Sequence, residues 1–112
     1  MPDTQPMPEP QSTPPAETQK TIADWANTAF GPVIDQTKLV DRAAIELTEL
    51  REAVQAGQTN EIGHETADVL ILLYRLLELN GLSVSQVLND KMSINRQRTW
   101  ERAGDGTGGH KA

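Results

Sequence analysis

Apolar residues recur at intervals of three and four along most of this 112-residue chain, which is the spacing of amphipathic helices. The first stripe covers about residues 21–30 and ends at Gly31-Pro32. A longer stripe covers about residues 35–56 without an internal glycine or proline, and Gly57 can cap its C-terminus. These two patterns predict a short first helix and a long second helix.

The rest of the chain predicts two further helices and no strand. With Thr59 or Asn60 as its N-cap, a third helix is predicted to about residue 80, and Ser83 begins a fourth helix that reaches about residue 100. No segment alternates with period two for long enough to predict a strand. Residues 69–79 are apolar on nearly every side, so we expect another subunit to cover the third helix. The predicted fold class is all-α.

The two ends of the chain differ in composition from its helical middle. Six of the seven prolines lie within residues 1–18, which have almost no large apolar side chain, so a disordered Pro-rich tail is predicted there. Residues 104–112 are rich in glycine and are predicted to form a flexible C-terminal tail. One helical domain over residues 19–103 remains.

Charge and composition exclude several classes of function. The net charge of −6 argues against binding to long nucleic acid. The absence of cysteine excludes disulfides and thiolate metal sites, which fits a cytoplasmic protein. The longest apolar run, residues 69–74, is too short to span a bilayer. We therefore expect a soluble cytoplasmic protein with neither long nucleic acid nor membrane as a partner.

Two acidic pairs at spacing i, i+3 lie on consecutive predicted helices, Glu46 with Glu49 and Glu65 with Asp68. Residues three apart share a helix face, and both pairs lie at matched distances from the turn near Gly57, so the four carboxylates should face each other. Carboxylates this close repel unless protons or cations neutralise them, and Mg²⁺ prefers oxygen ligands. The spacing predicts a magnesium site, whereas each pair alone would favour a solvated acidic face.

A magnesium site of this kind indicates phosphate chemistry. Mg²⁺ bound by carboxylates usually keeps several waters and recruits substrate phosphates, so hydrolysis of a phosphoanhydride is its natural use. No Walker loop or other glycine-rich phosphate motif is present, so metal and side chains would have to bind the phosphates. Glu61, one turn before Glu65, is either an outer ligand or an exposed acid suited to a helix start.

A second group of polar residues lies on the last predicted helix. Lys91, Asn95 and Arg98 have the spacing i, i+4, i+7, which places them on one helix face. A cation, an amide and a guanidinium in line can bind phosphates and a sugar hydroxyl. The alternative is a solvated basic face near a helix C-terminus, where cations are favoured in any case.

Together these segments resemble the MazG-like, all-α nucleoside triphosphate pyrophosphohydrolases. That family has an ExxE motif on one helix, an ExxD motif on the next and a KxxxN element on a following helix. Here the motifs read Glu46-Leu-Thr-Glu49, Glu65-Thr-Ala-Asp68 and Lys91-Met-Ser-Ile-Asn95. The end of the last helix and the glycine-rich segment after it are similar to the phage branch described as dATP/dGTP diphosphohydrolases (MazZ-like).

The resemblance implies a compact four-helix MazG-like bundle that assembles as a dimer or tetramer, in the host cytoplasm if a phage encodes it. It implies Mg²⁺-dependent cleavage of a nucleoside triphosphate, dGTP or dATP, between the α and β phosphates in nucleotide-pool control, with Mn²⁺ as a possible substitute. By position, the metal ligands would be Glu46, Glu49, Glu65 and Asp68. Glu49 would also orient the attacking water, and the residues facing the triphosphate or sugar would be Lys91, Asn95 and Arg98.

Several alternatives stay open at this point. Many family members double the first acid of each motif, whereas this chain has Ile45 and His64 there. His64 is then either a hydrogen-bond partner of the site or an exposed helix residue. Trp25 and Phe30 either form a stacking wall for a base or belong to the core. The same chemistry on dCTP, dUTP or a modified nucleotide is one competing function, and a non-catalytic helical oligomerisation module is another.

Overall fold

The computed structural model describes residues 16–111 and contains four helices in the predicted order. The elements are α1 (Gln19–Phe30), α2 (Thr37–Ala56), α3 (Thr59–Leu79), α4 (Val84–Gln97), β1 (Trp100–Arg102) and β2 (Gly108–His110). The mostly helical fold class is confirmed. Residues 1–15 of the predicted Pro-rich tail lie outside the described residues. Among the helices that are described, none is both long and apolar enough to cross a membrane.

Local chemistry explains where the first helices begin and end. Thr18 caps α1 in a reciprocal pair: its Oγ1 accepts from the backbone N–H of Thr21 at 3.1 Å, and its own N–H donates to Thr21 Oγ1 at 2.8 Å. α2 ends at the predicted position, because Gly57 adopts the left-handed conformation with φ of 66°. Only Gly57 and Gln58 separate α2 from α3, so the two helices form a tight hairpin.

The core of a single chain forms where α3 packs against α2 and α1. Its buried apolar residues are mostly small: Ala23, Ala26, Leu39, Ala43, Ala53 and Val69. Alanines allow close approach of the helices but bury little apolar area, so the core is modest. Larger side chains such as Leu47, Val54, Leu70 and Leu73 stay substantially exposed. If a second copy covers α3, as its apolar pattern predicts, then Leu70 and Leu73 should be exposed in a single chain, as they are.

The fourth helix lies outside this core. Within residues 16–111, α4 has no extensive contact with the other three helices, and none of its own residues is buried. Its start is held by Gln19, whose amide donates to the backbone oxygen of Leu82 at 2.6 Å and whose oxygen accepts from the N–H of Val84 at 2.7 Å. The predicted four helices are therefore present, and three of them form the core of one chain.

The C-terminal segment differs from its prediction. The sequence analysis predicts a helix to about residue 100 and then a flexible tail without strands. Instead, α4 ends at Gln97, and β1 pairs antiparallel with β2, with Trp100 opposite His110. Strands of three residues are too short to produce a period-two pattern, so the hydrophobic pattern carries no signal for them. The folded part thus continues beyond residue 103.

Two local interactions support this hairpin. At its turn, Asp105 Oδ1 accepts from the side-chain hydroxyl of Thr107 at 2.6 Å and from the Thr107 N–H at 2.9 Å, and these bonds lower the pKa of Asp105. At its base, the Trp100 indole donates to the backbone oxygen of Asn95 at 2.8 Å, and its ring centroid lies 5.8 Å from that of His110. The hairpin is therefore attached to the end of α4.

Candidate functional site

Three of the four predicted carboxylates converge between α2 and α3. One carboxylate oxygen from each of Glu46, Glu49 and Glu65 lies within 4.8 Å of those of the other two. The hairpin produces this arrangement because Glu46 and Glu49 share one face of α2, and Glu65 lies on the facing side of α3. Glu46 and Glu65 are half-buried, whereas Glu49 is exposed. We call these three residues the carboxylate cluster.

Asp68 lies next to the carboxylate cluster without belonging to it. It follows Glu65 by about one turn of α3 and lines a cavity together with Glu46. Its charge is one of the influences that raise the pKa of both Glu46 and Glu65. Asp68 is therefore close enough to be a fourth ligand of an ion bound to the cluster.

The electrostatics of the carboxylate cluster favour a bound cation. Partial desolvation, followed by the charges of Glu49 and Asp68, raises the pKa of Glu46, and the nearby Arg42 opposes this shift. Desolvation and the charge of Glu49, followed by those of Glu46 and Asp68, raise the pKa of Glu65. In addition, Glu65 Oε1 is buried without a hydrogen-bond partner among the described residues. A hard divalent cation would satisfy that oxygen and relieve the repulsion, so the residues fit Mg²⁺.

We predict that Glu46→Gln stabilises the metal-free protein at pH 7. A carboxyl group whose pKa is higher in the folded than in the unfolded state favours folding while protonated, so its stabilising effect is lost as pH rises above the ordinary glutamate range. At pH 7 the charged group opposes folding, and the amide removes that cost. The melting temperature without metal should rise by a few degrees, and the increase caused by Mg²⁺ should shrink.

Thermal unfolding with EDTA and with millimolar Mg²⁺ measures both quantities. Glu52→Gln is the matched control, since it removes the same charge from α2 at an exposed position outside the carboxylate cluster. It should leave the Mg²⁺-dependent increase intact. A Glu46→Gln protein that keeps the full increase would show that Glu46 does not bind the ion.

A cavity of about 650 Å³ opens beside the carboxylate cluster and shares Glu46 with it. The end of α1, the loop to α2, and the facing sides of α2 and α3 form its walls. Its lining includes the apolar side chains of Phe30, Pro32, Val33, Ile34, Leu39 and Leu72 and the cationic side chains of Lys38, Arg42 and Arg75. Volume and composition are those of a small-molecule site. Apolar walls next to cations and carboxylates suit a flat ring system that carries phosphates.

Sequence reasoning missed the role of Arg75 in this cavity. Arg75 is 6% exposed and is the one charged residue among the buried residues of the described chain. A charged residue within the apolar segment 69–79 was the sequence feature that could have indicated a buried arginine. Trp25 and Phe30, the possible core pair, are 55% and 70% exposed and contact each other edge to face at 5.5 Å. Phe30 lines the cavity, whereas Trp25 does not.

The predicted polar group of α4 does not meet the carboxylate cluster within one chain. The lining of the cavity contains no residue of α4 among the described positions. Lys91 is exposed, and Asn95 is half-buried, with no hydrogen-bond partner for its Oδ1 in the described part of the chain. Arg98 lies just beyond the helix in an extended conformation, with φ of −85° and ψ of 156°, so it does not continue the helical face of the other two. Within residues 16–111, α4 therefore contributes no side chain to the cavity beside the carboxylate cluster.

The two remaining candidate residues, Glu61 and His64, are exposed and lie outside the carboxylate cluster. Glu61 lies in the first turn of α3 and is exposed, as an acid at a helix start often is. His64 is also exposed, and its Nδ1 lies 3.8 Å from Glu61 Oε1. Neither residue belongs to the carboxylate cluster.

Comparisons with known proteins identify relatives of this chain. No protein-family model matches the chain. Two phage proteins named dATP/dGTP diphosphohydrolase are each 34% identical to it over 95 residues, or 85% of this chain. The chain spans 31% of the length of the one from Salmonella phage PMBT28 and 86% of the one from cyanophage S-2L.

A solved structure extends the similarity to the fold. It is the cyanophage S-2L MazG-like pyrophosphohydrolase bound to dGDP and three catalytic Mn²⁺ ions per active site. The two folds match with a TM-score of 0.68 at 31% sequence identity, covering 84% of this chain and 93% of the other. Since both the sequence and the fold match, this chain belongs to the MazG-like pyrophosphohydrolases, in the phage branch of dATP/dGTP diphosphohydrolases.

Proposed function

We propose that this protein hydrolyses dGTP and dATP between the α and β phosphates, with Mg²⁺ as its cofactor, and releases the monophosphate and pyrophosphate. The observation that carries this proposal is the convergence of Glu46, Glu49 and Glu65 beside a cavity of nucleotide size. The names of the phage relatives and the Mn²⁺ and dGDP in the related structure support it. Mn²⁺ should therefore replace Mg²⁺. A role in nucleotide-pool control would place the protein in the cytoplasm, the host's if a phage encodes it.

Each acidic residue has a proposed task. Glu46, Glu65 and Asp68 bind the cation together with Glu49, and the bound cation supplies charge neutralisation for the triphosphate. Glu49 is the exposed member of the carboxylate cluster. We therefore assign it a second task, to orient the attacking water and to accept its proton as the phosphoanhydride bond breaks. Arg42, which lines the cavity, offsets part of the negative charge of the phosphates.

A second copy of the chain would complete the site. Exposed Leu88 and Met92 on one face of α4 and exposed Leu70 and Leu73 on α3 give the chain two apolar surfaces that are uncovered in a single copy. Burying such surfaces against each other is the main driving force of association. In a homo-oligomer, a dimer or tetramer, α4 of one copy would bring Lys91, Asn95 and Arg98 to the triphosphate or sugar bound by the other copy.

The direct test is the release of pyrophosphate from the four canonical dNTPs and the four NTPs, with Mg²⁺ and separately with Mn²⁺. We expect dGTP and dATP to give pyrophosphate together with dGMP and dAMP, and EDTA to abolish the reaction. Product analysis is essential because release of orthophosphate and a diphosphate would contradict cleavage between the α and β phosphates.

The same panel decides between the competing functions. Preferred turnover of dCTP or dUTP would keep the chemistry and replace the proposed base. No turnover of any canonical nucleotide, together with no Mg²⁺-dependent stabilisation, would favour the non-catalytic oligomerisation module. Stabilisation by Mg²⁺ without turnover would instead point to a modified nucleotide as the substrate.

A further inference from the structure

Arg75 is a buried cation with no counter-ion within residues 16–111. Its Nη2 donates to Asn27 Oδ1 at 2.9 Å and to the backbone oxygen of Gly31 at 2.6 Å, both at the end of α1. These acceptors are neutral, and Arg75 has no ion pair among the described residues. Removing a guanidinium from water is costly unless its donors are satisfied. An unbalanced arginine in this place therefore indicates that another acceptor belongs to the complete site.

One buried donor of this guanidinium has no acceptor among residues 16–111. The Nε–H of Arg75 is buried and has no hydrogen-bond acceptor among the described residues. Arg75 also lines the cavity that leads to the carboxylate cluster. Buried N–H groups are almost always paired, and those that are not usually have a functional reason. The acceptor that is missing from the chain can come from a ligand in the cavity.

The position of Arg75 indicates which part of a nucleotide would supply that acceptor. Arg75 follows Asp68 by seven residues on α3, a rise of about 10 Å along the helix axis, and Leu72 lies between them. The phosphates belong near Asp68 and Glu46, where the cation would bind. The surroundings of Arg75 in the cavity include Phe30 and Leu72, which suit the flat, apolar faces of a base.

The base acceptor must be present in both proposed substrates. Guanine O6 is an acceptor, but the corresponding group of adenine is the N6 donor, so O6 cannot serve both. The ring nitrogens N7 and N3 are acceptors in both purines. On the basis of the proposed function, we propose that Arg75 donates a hydrogen bond to a purine ring nitrogen, N7 or N3, and is a specificity-determining residue. This contact would pair the buried Nε–H, and a contact to N7, an atom that pyrimidines lack, would favour purine nucleotides.

Deaza nucleotides test this contact atom by atom. In 7-deaza and 3-deaza analogues of dGTP and dATP, a C–H group replaces the acceptor nitrogen. For the wild-type protein, we expect one of the two series to lose about 10- to 100-fold in kcat/KM, the loss typical of a hydrogen bond to a charged group. In Arg75→Met the ratio between parent and analogue should fall close to one. Because both nucleotides are compared on the same preparation, this ratio does not depend on the folded fraction.

Two control variants separate base recognition from other roles of Arg75. Arg42→Met removes a guanidinium from the same cavity, but next to Glu46, and should lower kcat/KM for parent and analogue by the same factor. Asn27→Ala removes one acceptor of Arg75 without changing the guanidinium and should keep the wild-type ratio. If Arg75→Met lowers parent and analogue equally, then Arg75 only holds the end of α1 and the proposal is wrong.

The wild-type protein alone can also overturn the proposal, since equal turnover of parents and of both analogue series would exclude a contact with either nitrogen. Calorimetric binding of dGMP and its deaza analogues gives the same ratio without any hydrolysis. Loss of binding on nitrogen removal without turnover of dGTP would therefore contradict the proposed reaction and keep the base contact. Turnover of dGTP with equal binding of all analogues would support the proposed reaction and contradict the base contact.

Discussion

Glu49→Gln should lower kcat by about 10²- to 10⁴-fold, the range expected when a positioned general base is lost. Glutamine keeps the size of the side chain, so the hairpin of α2 and α3 should be unchanged. The substitution removes the negative charge of Glu49, whose carboxylate oxygen lies within 4.8 Å of those of Glu46 and Glu65. It also removes the group that we propose accepts the proton of the attacking water. Steady-state pyrophosphate release from dGTP with Mg²⁺ measures the effect.

Glu52→Gln is the control for this variant. It makes the same substitution on the same helix, at an exposed residue outside the carboxylate cluster. Glu52 lines a shallow pocket with Glu49 and Glu65 but is not one of the converging ligands, so its kcat should stay within about twofold of the wild-type value. If both variants lose activity equally, a general effect of charge on α2 would replace the specific role of Glu49.

Two inactive variants should restore activity when they are combined in one oligomer. Glu49→Gln disables the carboxylate cluster, and Asn95→Ala disables α4, which lies outside the core of its own chain. If each site combines the cluster of one copy with α4 of another, random mixing of equal amounts leaves about one quarter of the sites with both parts intact. We therefore expect each variant alone to be nearly inactive, and the co-refolded mixture to recover about one quarter of wild-type activity.

The matched control combines Glu49→Gln with Asp68→Asn. Both residues belong to the hairpin of α2 and α3 in one chain, so every site in the mixed oligomer keeps one of the two defects. No recovery is expected for this pair. Sedimentation of each variant should show the same oligomer as the wild type. The absence of recovery for the Glu49→Gln and Asn95→Ala pair, in a verified mixed oligomer, would rule out a site shared between copies.

The order of the helices and the position of the carboxylates could be predicted because both depend on short-range geometry. Glu46 and Glu49 share a face since three residues make nearly one helical turn. The two-residue turn at Gly57 then fixes which position of α3 lies opposite them. The motif residues also carried the family resemblance, which the comparisons with phage proteins confirm.

Other features of the protein could not be predicted from local sequence patterns. The spacing places Arg98 on the face of Lys91 and Asn95 only if the helix continues to residue 98, but α4 ends at Gln97. The paired strands after it are too short for a recognisable alternation. The apolar excess of α3 indicated a missing cover, but not which surface of the protein would provide it.

The four helices, the caps at Gly57 and Ser83 and the acidic faces follow from the sequence, because each depends on residues within one or two helical turns of each other. The predicted N-cap of α3, Thr59 or Asn60, was wrong, since the cap is Gln58 and its side chain makes no capping bond. Only the tertiary structure revealed the cavity and the burial of Arg75, whose hydrogen-bond partners Asn27 and Gly31 lie 48 and 44 residues away in the chain. It likewise showed that α4 lies outside the core. Contacts over such separations arise from how the helices pack, and no periodicity along the chain encodes them.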